Sequence, residues 1–117
     1  MEKIKGLRWL KCDLHLHTPK SECFLDKEVT PEEYINKVIE EKINVIAITD
    51  HNNSGWIDKL KILAIKNNIT LFPGVELTCS DSHIHLLILF DIDKTDQDIE
   101  DFLIKLGLDR ENFGKRK

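Results

Sequence analysis

Apolar residues recur along this chain in two rhythms that take turns. Residues 9–16, 44–49, 70–78 and 83–90 carry the short apolar runs of strands, and Val45-Ile46-Ala47-Ile48 is nearly continuous, as in a parallel strand covered on both faces. Pro73-Gly74 predicts a bend or bulge in the third of these strands. Between and after them, apolar residues fall at spacings of three and four, which predicts three helices. Their inward stripes are Tyr34, Ile35, Val38 and Ile39, then Ile57, Leu60 and Ala64, then Ile99, Phe102, Leu103 and Leu106 over residues 95–106. Thr30-Pro31-Glu32-Glu33 supplies a cap, a first-turn proline and a capping box. Ser54 is the expected cap of the second helix, which runs to Asn67, and Gly107 is a natural stop for the third. The order strand, helix, strand, helix, strand, strand, helix is the opening of an α/β barrel or sheet. Right-handed crossovers would set the C-terminal ends of its parallel strands on one edge.

The polar residues at those strand ends change the picture. All five histidines fall there, in His15-Leu16-His17, Asp50-His51 and His83-Ile84-His85, with Glu76 between the last two. Residues two apart in a strand share a face, so each His-x-His turns both rings to one side. Imidazole mixed with carboxylate suits zinc, manganese or iron in an open, catalytic sphere. A single His-x-His is weak evidence, since strand histidines are often bonded only to neighbours. Two pairs, a Thr-Asp-His and a Gly-Val-Glu, all at strand ends, favour a shared metal site. His83 sits at the entry of its strand and reads as a surface residue.

Composition narrows the setting. The chain has 117 residues and 41% hydrophobic content, enough for one core but short for a full enzyme barrel. A net charge of -4 argues against broad electrostatic binding of nucleic acid, and Lys115-Arg116-Lys117 reads as a solvated tail or a cut point. There is no apolar run of membrane-spanning length and no secretory signal at Met1-Glu2-Lys3, so a cytoplasmic protein is expected. The three cysteines do not form a disulfide framework, and Cys12 and Cys79 are expected as buried thiols. No dinucleotide fingerprint, P-loop or Gly-x-Ser-x-Gly elbow is present.

Four motifs in order, Cys12-Asp13-Leu14-His15-Leu16-His17-Thr18, Ile48-Thr49-Asp50-His51-Asn52, Pro73-Gly74-Val75-Glu76 and Ile84-His85-Leu86-Leu87, resemble the N-terminal motifs of the polymerase and histidinol phosphatase (PHP) superfamily. Val29-Thr30-Pro31-Glu32-Glu33 also fits that family, and among its branches the resemblance is to the PHP domain of TrlF-type AAA-like ATPase proteins. The resemblance implies the N-terminal portion of a distorted (β/α)7 barrel, mostly parallel strands with helices outside. It implies two or three divalent ions and hydrolysis of a phosphate ester or phosphodiester by metal-activated water. Carried over residue by residue, His15 and His17 hold one ion, Glu76 bridges it to a second, and His85 holds that second ion. His51 holds a third, with Glu22 or Cys23 beside it, Glu22 preferred. Asp13 and Asp50 orient imidazoles, and Asp50 with His51 forms the expected catalytic pair.

The family's later motifs have no counterpart, because no histidine follows His85. Residues 1–117 therefore read as a single but incomplete PHP-like domain: a fragment or truncated product, or a chain whose site a second copy completes, so a homo-oligomer is among the expectations. The substrate class implied is a phosphorylated small molecule or nucleic acid. The competing classes are a noncatalytic module docking on an ATPase or polymerase partner, and an amidohydrolase-type metal enzyme, which also opens with His-x-His at a strand end. Thr-Asp-His and Gly-Val-Glu at these spacings favour the PHP reading.

Overall fold

The computed structural model describes residues 9–78 and 83–113. Its elements follow the expected order: β1 (Cys12–Leu16), α1 (Pro31–Glu40), β2 (Val45–Ile48), α2 (Ile57–Lys66), β3 (Thr70–Leu77), β4 (Leu86–Leu89) and α3 (Asp96–Lys105), with a short 3-10 turn at Arg110–Asn112. The four strands form one sheet in the order β1-β2-β3-β4. β1, β2 and β3 run parallel through the two helical crossovers, and β4 returns antiparallel to β3, pairing Glu76 with Leu87.

One apolar cluster holds the elements together. Ile35 and Val38 of α1, Ile57, Leu60 and Ala64 of α2, and Ile99 and Leu103 of α3 pack with Ile46 and Ile48 of β2 and Leu71 and Val75 of β3. All three helices therefore share one face of the sheet. Because strand side chains alternate, Ala47, Glu76 and Leu87 belong to the opposite face, and the irregular step in β1 after Asp13, which pairs with Ile46, turns His15 to that face as well. Each fully buried Ile or Leu in the cluster contributes about 1.5–3 kcal/mol relative to exposure. Among the described residues no helix is long and apolar enough to cross a membrane.

Several local expectations are corrected. β1 begins at Cys12 rather than Trp9, whose side chain is 99% exposed; Cys12 itself is exposed rather than a buried thiol, because β1 is an edge strand. Cys79 and the basic tail lie outside the described residues. β3 runs unbroken through Pro73-Gly74, and the irregularity falls instead in β1, between Asp13 and Leu16. Gly74 serves close packing there: a Cβ would lie 2.8 Å from the Ile88 carbonyl oxygen and 3.1 Å from that of Ile48. β4 starts at Leu86, so His83 and His85 precede it. Ile39 and Leu106 are half exposed at the rims of their helices, outside the buried stripe.

The helix starts show both local and distant capping. Thr30 with Glu33 and Thr95 with Asp98 form reciprocal capping boxes, satisfying orphan amides within four residues of sequence. α2 is different. Its N-cap position is Trp56, which offers no side-chain acceptor, and Ser54 donates its hydroxyl to Asp96 Oδ1 at 2.5 Å instead of capping. Asp96 accepts the amides of Ile57 (3.1 Å) and Asp58 (3.0 Å), so α3 caps α2 across 38 residues of chain or more.

Candidate metal centre

The C-terminal ends of the parallel strands converge on Glu76. β2 and β3 pair regularly up to Ile48 and Pro73, and an isolated bridge beyond them joins His51 to Glu76. Glu76 N–H donates to the Asp50 carbonyl (2.9 Å) and Asn52 N–H to the Glu76 carbonyl (3.0 Å), carrying the pairing past the end of β2. Asn52 adopts the left-handed region (φ 43°), which asparagine tolerates better than most residues. Its side chain exchanges hydrogen bonds with the backbone of Thr78. That locked turn sets His51 beside Glu76.

The Glu76 carboxylate is buried, and imidazoles surround it. Oε1 lies 2.9 Å from His15 Nε2, 3.1 Å from His17 Nε2 and 3.6 Å from His51 Nδ1, while Oε2 lies 3.0 Å from His85 Nδ1. Burial alone would push the Glu76 carboxyl up, but the hydrogen bond from His15, the charges of His51 and His15, and the bond from His85 outweigh it and hold its pKa below the ordinary value. His17 is also held below its ordinary value, chiefly by burial, which opposes the attraction of Asp50 and Glu76. Three imidazole ring centres follow one another at 5.2 Å (His15–His17) and 4.6 Å (His17–His51).

Two groups of donors are spaced to share an ion. His15, His17 and Glu76 present ligand atoms all within 4.8 Å of one another, and so do His17, Cys23 and His51. Such donor sets could hold divalent ions, with nitrogen and carboxylate in one group and a soft sulfur in the other. Glu22, expected beside His51, is exposed and belongs to neither group among the described residues; Cys23, also exposed, is the residue of this loop whose sulfur comes within reach of His17 and His51. His83 is exposed and in neither group.

Behind the ligand face lies a second layer. Asp50 is 1% exposed and accepts three donors: Thr18 N–H (2.6 Å), Thr18 Oγ1 (2.6 Å) and Ser21 Oγ (2.7 Å). Burial raises its pKa, and those bonds oppose the rise. His17 Nδ1 lies 4.0 Å from Asp50 Oδ1, and Asp13 accepts the backbone amide of His15 (3.2 Å). Ser21 stands between Asp50 and the rings, 2.9 Å from His17 Nδ1 and accepting the His51 amide at 3.0 Å. Tyr34, from α1, donates its hydroxyl to the His17 carbonyl (2.7 Å), and burial pushes its pKa up. Thr18, Ser21, Tyr34 and Asn52 were not singled out by sequence as site residues; the hydroxyls and amide of a Thr-x-x-Ser and an Asp-His-Asn at strand ends were the available signal. Alongside His15 and His17 opens a cleft of ≈ 460 Å³, lined by Phe24, Val29, Tyr34, Val38 and Ile43.

The comparisons with known proteins agree with this geometry. The chain is 33% identical over 87 residues to the 5'-3' exoribonuclease of Haemophilus influenzae, covering 73% of this chain and 30% of that protein. It is 29% identical over 106 residues to the 5'-3' exoribonuclease Rnm of Salmonella typhimurium, covering 88% and 35%. The chain thus spans about a third of the length of these relatives. Among solved structures, an amidohydrolase from Chromobacterium violaceum superposes with a TM-score of 0.63 at 26% identity, over 87% of this chain and 34% of that one. A two-domain protein from Bacteroides vulgatus, containing a predicted PHP-like metal-dependent phosphoesterase, superposes with a TM-score of 0.58 at 22% identity, over 84% and 33%. Residues 13–107 match the PHP domain, a span that contains every side chain meeting at Glu76, and the chain belongs to the PHP domain family.

Proposed function

We propose that this chain carries the N-terminal ligand set of a metal-dependent phosphoesterase, in a barrel of the (β/α)7 type, and that its substrate is a phosphate ester or phosphodiester. The relatives named exoribonucleases make a nucleic-acid end the favoured substrate over a phosphorylated small molecule. The observation that carries the reading is Glu76, a buried carboxylate with imidazole nitrogens of His15, His17 and His85 within 3.1 Å. Imidazole nitrogens and a carboxylate converging on one point suit a divalent cation. Divalent ions so bound supply a Lewis acid for phosphate oxygens and a water acidified towards neutrality.

In this reading His15, His17, Glu76 and His85 hold the ions, and His51 joins them with Cys23 in the place first given to Glu22. Asp50 is a positioning residue: sealed from substrate, it fixes the loop that carries Thr18 and Ser21. The ions are manganese, iron or zinc, with Cys23 favouring a soft ion in the second group. Free Cys12 and Cys23 suit the reducing cytoplasm.

A second reading is a noncatalytic module that docks on an ATPase or polymerase partner, with bound metal serving the fold rather than hydrolysis. One experiment separates them. Elemental analysis of the purified chain is paired with hydrolysis of bis(p-nitrophenyl) phosphate with manganese or zinc, using Glu76→Gln as control. The enzyme reading expects bound metal, and turnover lost at least about 100-fold in the variant, since even outer partners of metal ligands contribute 10–100-fold. Bound metal with equal background rates in both proteins rejects the enzyme and leaves the module.

A further inference from the structure

Ser21 sits at the centre of a hydrogen-bond arrangement that leaves it no freedom. Its Oγ is 2.7 Å from Asp50 Oδ1, 3.0 Å from the His51 amide nitrogen and 2.9 Å from His17 Nδ1. A hydroxyl has one hydrogen to give and two lone pairs to receive with. The carboxylate oxygen can only accept, so it takes the Ser21 hydrogen. The peptide N–H of His51 can only donate, so it fills one lone pair. The remaining lone pair faces His17 Nδ1, and the contact is a hydrogen bond only if that nitrogen carries the proton. The reverse assignment would set the Ser21 and Asp50 oxygens lone pair to lone pair at 2.7 Å, in a place where Ser21 is 1% exposed and water cannot compensate.

In a neutral imidazole one nitrogen bears hydrogen and the other a lone pair, and the partner of one decides the other. We infer that Ser21, held by Asp50, fixes His17 in the Nδ1–H tautomer and so keeps the Nε2 lone pair aimed at Glu76. His17 Nε2 lies 3.1 Å from Glu76 Oε1, an opposition of lone pairs that an ion between them would relieve; without Ser21 that nitrogen would gain by carrying the proton itself, closing the pair with a hydrogen bond. Ser21 is a positioning residue, preventing the metal-free site from satisfying itself with a proton. The same hydroxyl holds the His51 amide, so one side chain ties the loop after β1 to the end of β2. This inference rests on the metal-binding reading above for its consequence, though not for the tautomer itself.

The test reads the tautomer directly. Long-range proton–nitrogen correlation spectra of metal-free, 15N-histidine-labelled protein at pH 8 distinguish a protonated ring nitrogen from a bare one. The expected spectrum for His17 has a protonated Nδ1 and a bare Nε2; a protonated Nε2 in the wild-type protein overturns the inference with no variant needed. Ser21→Ala is expected to move His17 towards the Nε2–H form and to weaken manganese or zinc binding, measured by calorimetry, roughly 10–100-fold. Ser21→Thr, which keeps the hydroxyl, is expected to restore the wild-type tautomer. If Ser21→Ala leaves tautomer and affinity unchanged, the inference fails while the metal-binding reading stands. If the tautomer shifts as expected but neither protein binds metal, the assignment of Ser21 stands and the functional reading fails.

Discussion

His17 joins the two candidate ion groups, and its environment gives it a testable pH signature. Burial is the largest influence on it and lowers its pKa from the ordinary 6.5. Between the folded value and 6.5 the unfolded chain therefore binds a proton that the folded chain refuses. The stability attached to this ring is fully present above 6.5 and is lost as pH falls from there through the folded value. Metal binding moves in the same direction, since a ligating imidazole must be neutral. Urea midpoints of metal-free protein are expected to decline over that window, and His17→Gln is expected to flatten the decline; equal slopes in both proteins would show that the ring is not held neutral by burial. At this scale the cluster around Glu76 was legible because His-x-His and a strand-end Glu are chemically unusual. The choice between Glu22 and Cys23 was not, since adjacent loop residues point in directions fixed by hydrogen bonds such as Ser21 N–H to Thr18 O, which no spacing rule encodes.

The elements show where sequence signals reach and where they stop. Capping boxes at Thr30 and Thr95 are contained within four residues, and the apolar run of β2 records burial on both faces, so these were readable. The cap of α2 was not, because its acceptor is Asp96, brought in from α3 by packing of Ile99 and Leu103 into the shared core. Asp96→Ala should leave Ser54 and two helix amides without that acceptor. The expected cost is about 1–2 kcal/mol, measured as a lower urea midpoint. A change within about 0.3 kcal/mol would mean that water replaces the carboxylate. Likewise, the bulge was expected at Pro73-Gly74 from composition alone. The glycine instead allows the Ile88 and Ile48 backbones to approach an unbroken β3, and the irregular step falls in the edge strand β1, where one partner strand rather than two constrains the register.

For the molecule as described, the sheet has helices on one face and two outer strands, β1 and β4, each paired on one side. Leu87 and Leu89 on the helix-free face are 43% and 42% exposed, and the apolar cleft lies against β1. Bare strand edges beside apolar surface favour pairing with another chain. A two-fold dimer that continues the sheet through β1 runs the paired strands antiparallel. His15 and His17 of the two copies would then lie at opposite ends of the joined strands, so such a dimer covers the edge without lending imidazoles to its partner's site. Mass in solution is accordingly expected to rise with concentration, by sedimentation, while bound metal per chain stays constant. Leu87→Lys with Leu89→Lys should lower association through the open face and leave metal content unchanged. Metal content that climbs in step with the dimer fraction would instead mean that a neighbouring copy supplies ligands, and that the centre around Glu76 is assembled from two chains.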